Sequence, residues 1–418
     1  MSGECIGNAL AFAAWKGMGA RHTHCLLPSR ANLMTPFESE NMTVKRISLL
    51  LVVGATLNVA CADESGLHAG SDSSAGAADP VGNDGGGGGN GVDGGRAEGG
   101  HGADSGDREG GGWPVVDGGL LGSAPHGIFA LGTQSSAPNL LELPFVDGVL
   151  IRVRWSQLQP TSQTEYDWSA IDTQLKQAEA AGKKASIAVL LGTFSTSSSA
   201  VPNWVFDSAG VQKWITAQGY TYADPMDPKF WQMWTGFVQA FGAKYNGNPT
   251  VEQVGICGGT GSLCGLRFAQ LPASWDDSFM LTQWKTLVDL YASQFPSTRL
   301  HYEVQMTLPS SQGQDPLRLA TAMHDYIVAK YEPHVGPFVD FLSNTQPAGG
   351  VLTLMKTWQS ASGWCGAQEV SAQGANLDAA YAHAHNDMGC SYVEIYESDL
   401  TNPSYTSTNT NWHSTLHP

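Results

Sequence analysis

Positive charge is scarce in this sequence. Of its 418 residues only 21 are Lys or Arg, against 38 Asp or Glu, and the formal net charge is −17. Proteins that bind nucleic acids usually present a basic surface to the phosphates, so we expect no nucleic-acid partner. The sequence also lacks a GxGxxG motif after an early strand pattern, where a dinucleotide-binding fold requires one. We therefore expect no cofactor.

Large apolar side chains are almost absent from residues 62–112, which read "ADESGLHAGSDSSAGAADPVGNDGGGGGNGVDGGRAEGGHGADSGDREGGG". Such a segment buries too little apolar surface on folding to offset the conformational entropy that it would lose. The composition predicts a disordered linker rich in Gly, Asp and Ser over 62–112. Its ten acidic residues and two arginines carry nearly half of the net negative charge.

The chain also lacks an apolar run of the 20 or so residues that a membrane span requires. The shorter apolar run at 47–60 follows Lys45 and Arg46, and this order is typical of a secretory signal. We expect Met42 to be the true start, with residues 1–41 an over-extended beginning. A genuine N-terminal extension is the alternative.

The end of this signal, "LNVAC", places Cys61 after the small residue Ala60. The pattern resembles a bacterial lipobox, in which the cysteine is lipidated and becomes the mature N-terminus, although Asn58 stands where an aliphatic residue is usual. We expect residues 42–61 to direct export as an outer-membrane or cell-surface lipoprotein, held to the membrane by a lipid anchor at Cys61. A secreted soluble protein is the alternative.

None of the seven cysteines forms a CxxC pair. We therefore expect no metal site. Four cysteines, Cys257, Cys264, Cys365 and Cys390, lie beyond the linker. An even number of cysteines in an exported chain suggests disulfides, here Cys257 with Cys264 and Cys365 with Cys390.

Residues 113–418 have the sequence pattern of a folded domain. Eight β-rich runs alternate with amphipathic helices: "HGIFALGT", "GVLIRVRW", "ASIAVLLG", "VEQVGICG", "LHYEVQM", "FVDFLSN", "WCGAQEV" and "SYVEIYE". This alternation predicts a (β/α)₈ barrel of the TIM type, which we expect to be monomeric. An open, doubly wound sheet is the alternative fold.

Several acidic residues lie on the predicted strands. Because strand side chains alternate, Glu394 should face the barrel axis, with Glu397 at the rim where the last strand ends. Glu303 should also face inward, and Glu369 lies at the end of the seventh strand. Catalytic groups of such barrels project from the C-terminal ends of strands, which makes these four glutamates the candidate catalytic residues.

The early strands carry a resemblance to a known group of enzymes. Residues 148–192, with "YDW" opening a helix, and then "VPNWVF" at 201–206, resemble clan A glycoside hydrolases, most nearly the bacterial β-galactosidase type of family 42. The resemblance covers about residues 147–260 and implies a catalytic barrel. Independently of the resemblance, the charged, polar and aromatic residues expected at the barrel mouth suit a sugar site, which we expect to be lined by Arg152, Arg154, Trp155, Trp204, Tyr396 and Asn344.

One departure from this family concerns the fourth strand. The family carries its acid/base glutamate there, but the chain has "VGICGGTGSLCG", without a carboxylate. The expected function is still hydrolysis of O-glycosidic bonds in an extracellular poly- or oligosaccharide. A non-catalytic, carbohydrate-binding surface lipoprotein is the first alternative, and a structural surface protein without a ligand is the second.

Overall fold

The structure is a computed structural model that describes residues 121–132, 138–193, 195–258, 271–304, 315–347 and 349–417. The described residues all belong to one compact unit, Val116–Pro418. The predicted start, export signal with Cys61, and linker lie outside them. No helix in these ranges is both long enough and apolar enough to cross a membrane.

Eight parallel strands close into a barrel, which confirms the predicted fold. The strands are β1 Gly127–Leu131, β2 Gly148–Arg154, β3 Lys184–Leu190, β6 Val251–Gly255, β7 Arg299–Glu303, β8 Val335–Leu342, β9 Gly366–Glu369 and β10 Tyr392–Tyr396. A short antiparallel hairpin, β4 Lys213–Ile215 and β5 Thr221–Ala223, lies between the third and fourth barrel strands. Around the barrel the order is β1, β10, β9, β8, β7, β6, β3, β2, so that β1 and β10 meet and close it.

Helices follow the strands along the chain. Their bounds are α1 Pro138–Leu141, α2 Trp155–Leu158, α3 Ser169–Ala180, α4 Asn203–Asp207, α5 Pro228–Tyr245, α6 Asp277–Gln294, α7 Arg318–Tyr331, α8 Gly349–Ser362, α9 Leu377–Ala382, α10 Glu397–Thr401 and α11 Thr406–Leu416. The start of α5 is set by Asp227, whose side chain accepts a hydrogen bond from the backbone N–H of Lys229, and by Pro228 in its first turn.

The apolar core has two parts. The larger part lies between the strands and the helices, and a smaller cluster of Phe129, Phe338 and Tyr392 fills the inside of the barrel. Gly366 adjoins this inner cluster, because a Cβ there would lie 2.6 Å from the ring of Phe338. The interior of the barrel is therefore packed at this level and contains no channel there.

One of the two predicted disulfides is present among the described residues. Cys365 and Cys390 are bonded, with Cα atoms 4.6 Å apart, and they lie one residue before β9 and two residues before β10, respectively. The pairing predicted from the sequence is thus confirmed for this pair. Cys257 is also disulfide-bonded, but Cys264 lies outside the described residues, so the pairing of these two stays a prediction.

Candidate active site

A small cavity inside the barrel brings together polar side chains from four strands. Its volume is about 10 Å³, enough for about one water molecule. It is lined by Leu150, Arg152, Ala188, His301, Glu303, Phe338, Gln368 and Glu394. Since a sugar ring does not fit in this volume, a substrate would have to bind above the cavity, at the C-terminal end of the strands.

Glu394 is the most buried carboxyl group that lines this cavity. Its neighbours on β10, Val393 and Ile395, pack into the outer core, so Glu394 faces the axis as predicted. It is 1% exposed, and the Tyr392 hydroxyl donates a hydrogen bond to its Oε1 at 2.7 Å. Burial raises the pKa of Glu394 to about 8, against the smaller lowering effects of that hydrogen bond and of the Arg152 charge. At neutral pH the group is therefore mostly protonated and can donate a proton.

Glu303 provides a second carboxyl group at the same cavity. It is the last residue of β7 and 6% exposed, and its inward orientation agrees with the sequence prediction. His301, two residues earlier, stacks on Phe338 with ring centroids 4.3 Å apart. Burial lowers the pKa of His301 to about 3, so its ring is neutral and adds no positive charge to the cavity.

Glu369 lies on the other face of the sheet. Gln368 lines the cavity instead, while the Glu369 side chain accepts a hydrogen bond from the backbone N–H of Tyr396 at 2.7 Å. Burial, and then the nearby charge of Asp399, raise the pKa of Glu369 well above its usual range. Glu369 thus links the end of β9 to the end of β10, and the structure does not bring it to the cavity.

Four other sequence candidates lie at the C-terminal end of the barrel. Arg154 and Tyr396 are the partly exposed last residues of β2 and β10, and Asn344 is exposed two residues after β8. Glu397 begins α10, and its Oε2 would lie 2.5 Å from a Cβ added to Gly132. This contact places the Glu397 carboxylate against the end of β1, at the rim and outside the cavity.

The two tryptophans expected to contact sugar are instead part of the outer core. Trp155 is 0% exposed and Trp204 is 8% exposed. Both indole N–H groups donate hydrogen bonds to Gln159, Trp155 to its side chain and Trp204 to its carbonyl, each at 2.8 Å. The rings meet edge to face. The chain leaves strand geometry at Trp155, where α2 begins, so strand alternation no longer directs this ring inward.

Asp340 is an interior acid that was not a sequence candidate. It is 4% exposed on β8, between Val339 and Phe341, which both pack into the outer core. It therefore shares the inward face with Phe338. The alternation in "FVDFL" contains this signal, because a carboxylate between two outward-facing apolar residues must face the axis.

The fourth barrel strand lacks an inward carboxylate. The acid on β6 is Glu252, which lies near the start of the strand and lines a cavity at the opposite, N-terminal end of the barrel. No residue from 253 to 270 is Asp or Glu. In the described part of this strand, the structure therefore also has no inward carboxylate where the resembled family carries its acid/base glutamate.

A larger cavity lies at the N-terminal end of the barrel. It measures about 440 Å³ and is lined by polar and charged side chains that include Lys184, Glu252 and Arg299. Barrel enzymes carry out their chemistry at the C-terminal end, so we assign the candidate active site to the smaller cavity. The segments after β6 and β7 at that end extend outside the described residues.

Comparison with known proteins finds similarity only among solved structures. No family model matches the chain, and no curated protein matches it. Among solved structures, the catalytic domain of a β-amylase from Paenibacillus polymyxa is similar, with a TM-score of 0.48 and 10% identity over 65% of this chain and 92% of that chain. A likeness of this size carries no argument about chemistry, and the closed strand order itself establishes the barrel.

Proposed function

We propose that this protein hydrolyses O-glycosidic bonds of an extracellular poly- or oligosaccharide. The observation that supports this most is the pairing of Glu394 and Glu303 on one cavity, with the pKa of Glu394 raised to about 8. Glycoside hydrolysis requires two carboxyl groups, one to protonate the leaving oxygen and one to act as nucleophile or base. A glutamate with a raised pKa is suited to the first role.

In this proposal Glu394 supplies the proton through the one water molecule that the cavity can hold, and Glu303, nearer the C-terminal end, acts as the nucleophile or base. Arg152 lines the same cavity, and its charge favours the carboxylate that Glu394 becomes after donating its proton. Gln368 offers an amide for hydrogen bonds to hydroxyl groups. Glu397, Arg154, Tyr396 and Asn344 lie at the same end and are the proposed contacts of the sugar at the rim.

A second proposal, binding without hydrolysis, is favoured by one specific observation. The resembled enzymes use carboxylates from the fourth and seventh strands. Here β6 offers no carboxylate at the candidate active site, and Gln368 occupies the inward position at the end of β9. A barrel that retains its polar interior while lacking both groups could hold a carbohydrate without cleaving it.

A single screen separates these two functions. The purified protein is incubated with aryl glycosides and with bacterial and plant polysaccharides, and reducing ends and binding are measured in the same wells. We expect reducing ends to appear with at least one substrate and to disappear in Glu303→Gln. Binding without new reducing ends would contradict hydrolysis and support the second proposal. The absence of both would leave neither proposal standing.

We also propose that a lipid on Cys61 anchors the chain to a membrane, because Cys61 follows the apolar run of the signal. Cells fed a labelled fatty acid should incorporate the label into the wild-type chain. Cys61→Ser should remain unlabelled. Label in this variant would contradict the assignment.

A further inference from the structure

Three potential metal ligands meet at the N-terminal end of the barrel, opposite the candidate active site. They are Asp147, immediately before β2, His413 on α11, and His417, just after that helix. The Nε2 atom of His413 lies 3.1 Å from Asp147 Oδ1, and the Nε2 atom of His417 lies 3.1 Å from Asp147 Oδ2. The three ligand atoms all lie within 4.8 Å of one another.

Local structure fixes the position of each ligand. His413 and His417 are four residues apart, so both rings lie on one side of the helix end. The Asp147 Oδ2 atom accepts a hydrogen bond from the backbone N–H of Ile128 at 2.8 Å. The carboxylate also occupies space that only a glycine leaves open, since a Cβ on Gly127 would lie 2.1 Å from Oδ2. Gly127 has a φ of +97°, which glycine adopts readily.

We propose that Asp147, His413 and His417 bind a divalent transition metal ion of the zinc class. Ligand atoms at 2.0–2.1 Å from a tetrahedral zinc ion lie about 3.3 Å apart, close to the His–Asp distances found here. Two imidazoles and one carboxylate suit zinc, nickel or copper, whereas magnesium and calcium prefer oxygen ligands alone.

A tetrahedral zinc site with three protein ligands needs a fourth ligand and access from solvent. The ring of His126 meets that of His417 edge to face at 4.6 Å, and the His126 Nδ1 atom lies 3.0 Å from the carbonyl oxygen of Ala124. His126 is not among the residues whose ligand atoms lie within 4.8 Å of one another, so a water molecule would complete a tetrahedral coordination. Asp147, His126 and His417 all line the 440 Å³ cavity, which gives an ion a route from solvent.

Such an ion would connect two parts of the chain that are far apart in sequence. Asp147 and His413 are separated by 266 positions. An ion that binds the folded state but not the unfolded chain stabilises the fold by mass action. At 100 times its dissociation constant, we expect zinc to raise the melting temperature by roughly 5 °C.

The test uses the full chain without a polyhistidine tag, first treated with a chelator and then titrated with zinc chloride by calorimetry. We expect one zinc ion per chain at this site and a higher melting temperature, with magnesium producing neither effect. His413→Gln and His417→Gln should each weaken zinc binding by at least about 10-fold. The control is His383→Gln, because His383 forms a His–Asp pair with Asp387 outside the cluster, and this variant should bind zinc like wild type.

Two outcomes would overturn the proposal. The first is that wild type does not bind zinc at micromolar concentration, in which case the three residues form only His–Asp ion pairs. The second is that the double variant H413Q/H417Q still binds zinc. If the histidine variants fail to fold, Asp147→Asn provides the test, because it keeps the side-chain shape and an acceptor oxygen while removing the charge. Wild-type zinc affinity in a folded Asp147→Asn variant would equally contradict the site.

Discussion

Replacing Glu394 with Gln is expected to lower the turnover of any cleaved glycoside by about 10²- to 10⁴-fold, the usual contribution of a general acid. The amide keeps the volume and can still accept the hydrogen bond from Tyr392, so the barrel should remain folded. Turnover measured at pH 6 to 7 on an aryl glycoside and on a polysaccharide checks the result. Wild-type rates on both substrates would remove Glu394 from the site.

The same residue should influence how stability depends on pH. Because burial raises its pKa from 4.5 to about 8, the native state retains this proton where the unfolded chain has lost it. The resulting stability is fully present below pH 4.5 and disappears as the pH rises through 8. A shift of this size corresponds to roughly 5 kcal/mol at about 1.4 kcal/mol per pKa unit. Denaturant unfolding between pH 4.5 and 8 should therefore show a shallower pH dependence in Glu394→Gln.

Glu369 provides a matched control. It is also fully buried with a raised pKa, but it lies on the other face of the sheet. Glu369→Gln should flatten the pH dependence of stability in the same direction, because the native state again retains a proton that the unfolded chain loses. It should leave turnover near the wild-type rate. Loss of turnover in both variants would mean that a general structural change, rather than removal of an acid, explains the effect of Glu394→Gln.

Removing the disulfide between Cys365 and Cys390 is expected to cost about 3.5 kcal/mol of unfolding free energy. The estimate follows from the loop that the bond closes, with a sequence separation of 25 residues, because the cross-link restricts the unfolded chain. Both sulfur atoms are buried, so the variant is Cys365→Ala with Cys390→Ala, which introduces no buried hydroxyl group. Urea unfolding of the variant and of oxidised wild type at one pH measures the difference.

A control separates the cross-link from side-chain packing. Wild type under reducing conditions keeps the sulfur atoms but loses this bond and that of Cys257, so its unfolding free energy should fall by at least the contribution of the Cys365–Cys390 bond. A double variant as stable as oxidised wild type would show that β9 and β10 hold their places without the bond.

The fold was predictable because its signals are local. Each of the eight strand patterns corresponds to a barrel strand, and period-two alternation correctly oriented Glu394 and Glu303. Alternation was sufficient there because apolar neighbours such as Val393 and Ile395 mark the outer face.

The seventh strand was harder to interpret because "GAQE" contains no large apolar residue to mark a face. Its orientation depends on neighbouring strands: the rings of Phe338 and Tyr392 fill the space beside Gly366, so this glycine faces inward and, two positions on, so does Gln368. Trp155 shows a related difficulty. It continues the strand pattern in the sequence, but its backbone already belongs to α2. Burying the indole in the outer core stabilises the fold more than leaving it exposed at the barrel mouth would.

The proposed metal ligands were only partly visible in the sequence. The segment "HSTLH" is an HxxxH pair with the spacing of two histidines on one side of a helix, and the expectation of no metal site missed it. Asp147 could not be identified as a ligand from the sequence, because it contacts His413 only once α11 packs against β1 in the folded protein.

The closure of the barrel has a consequence for how the domain can be engineered. β1 pairs with β10 at every position from Gly127 to Leu131, and the rings of His126 and His417 touch. The first and last described segments thus meet on one face, so a short peptide could join them and new ends could be opened in an exposed loop on that face. Such a circular permutant would keep all eight strand pairings, and the candidate active site at the far end would not be cut.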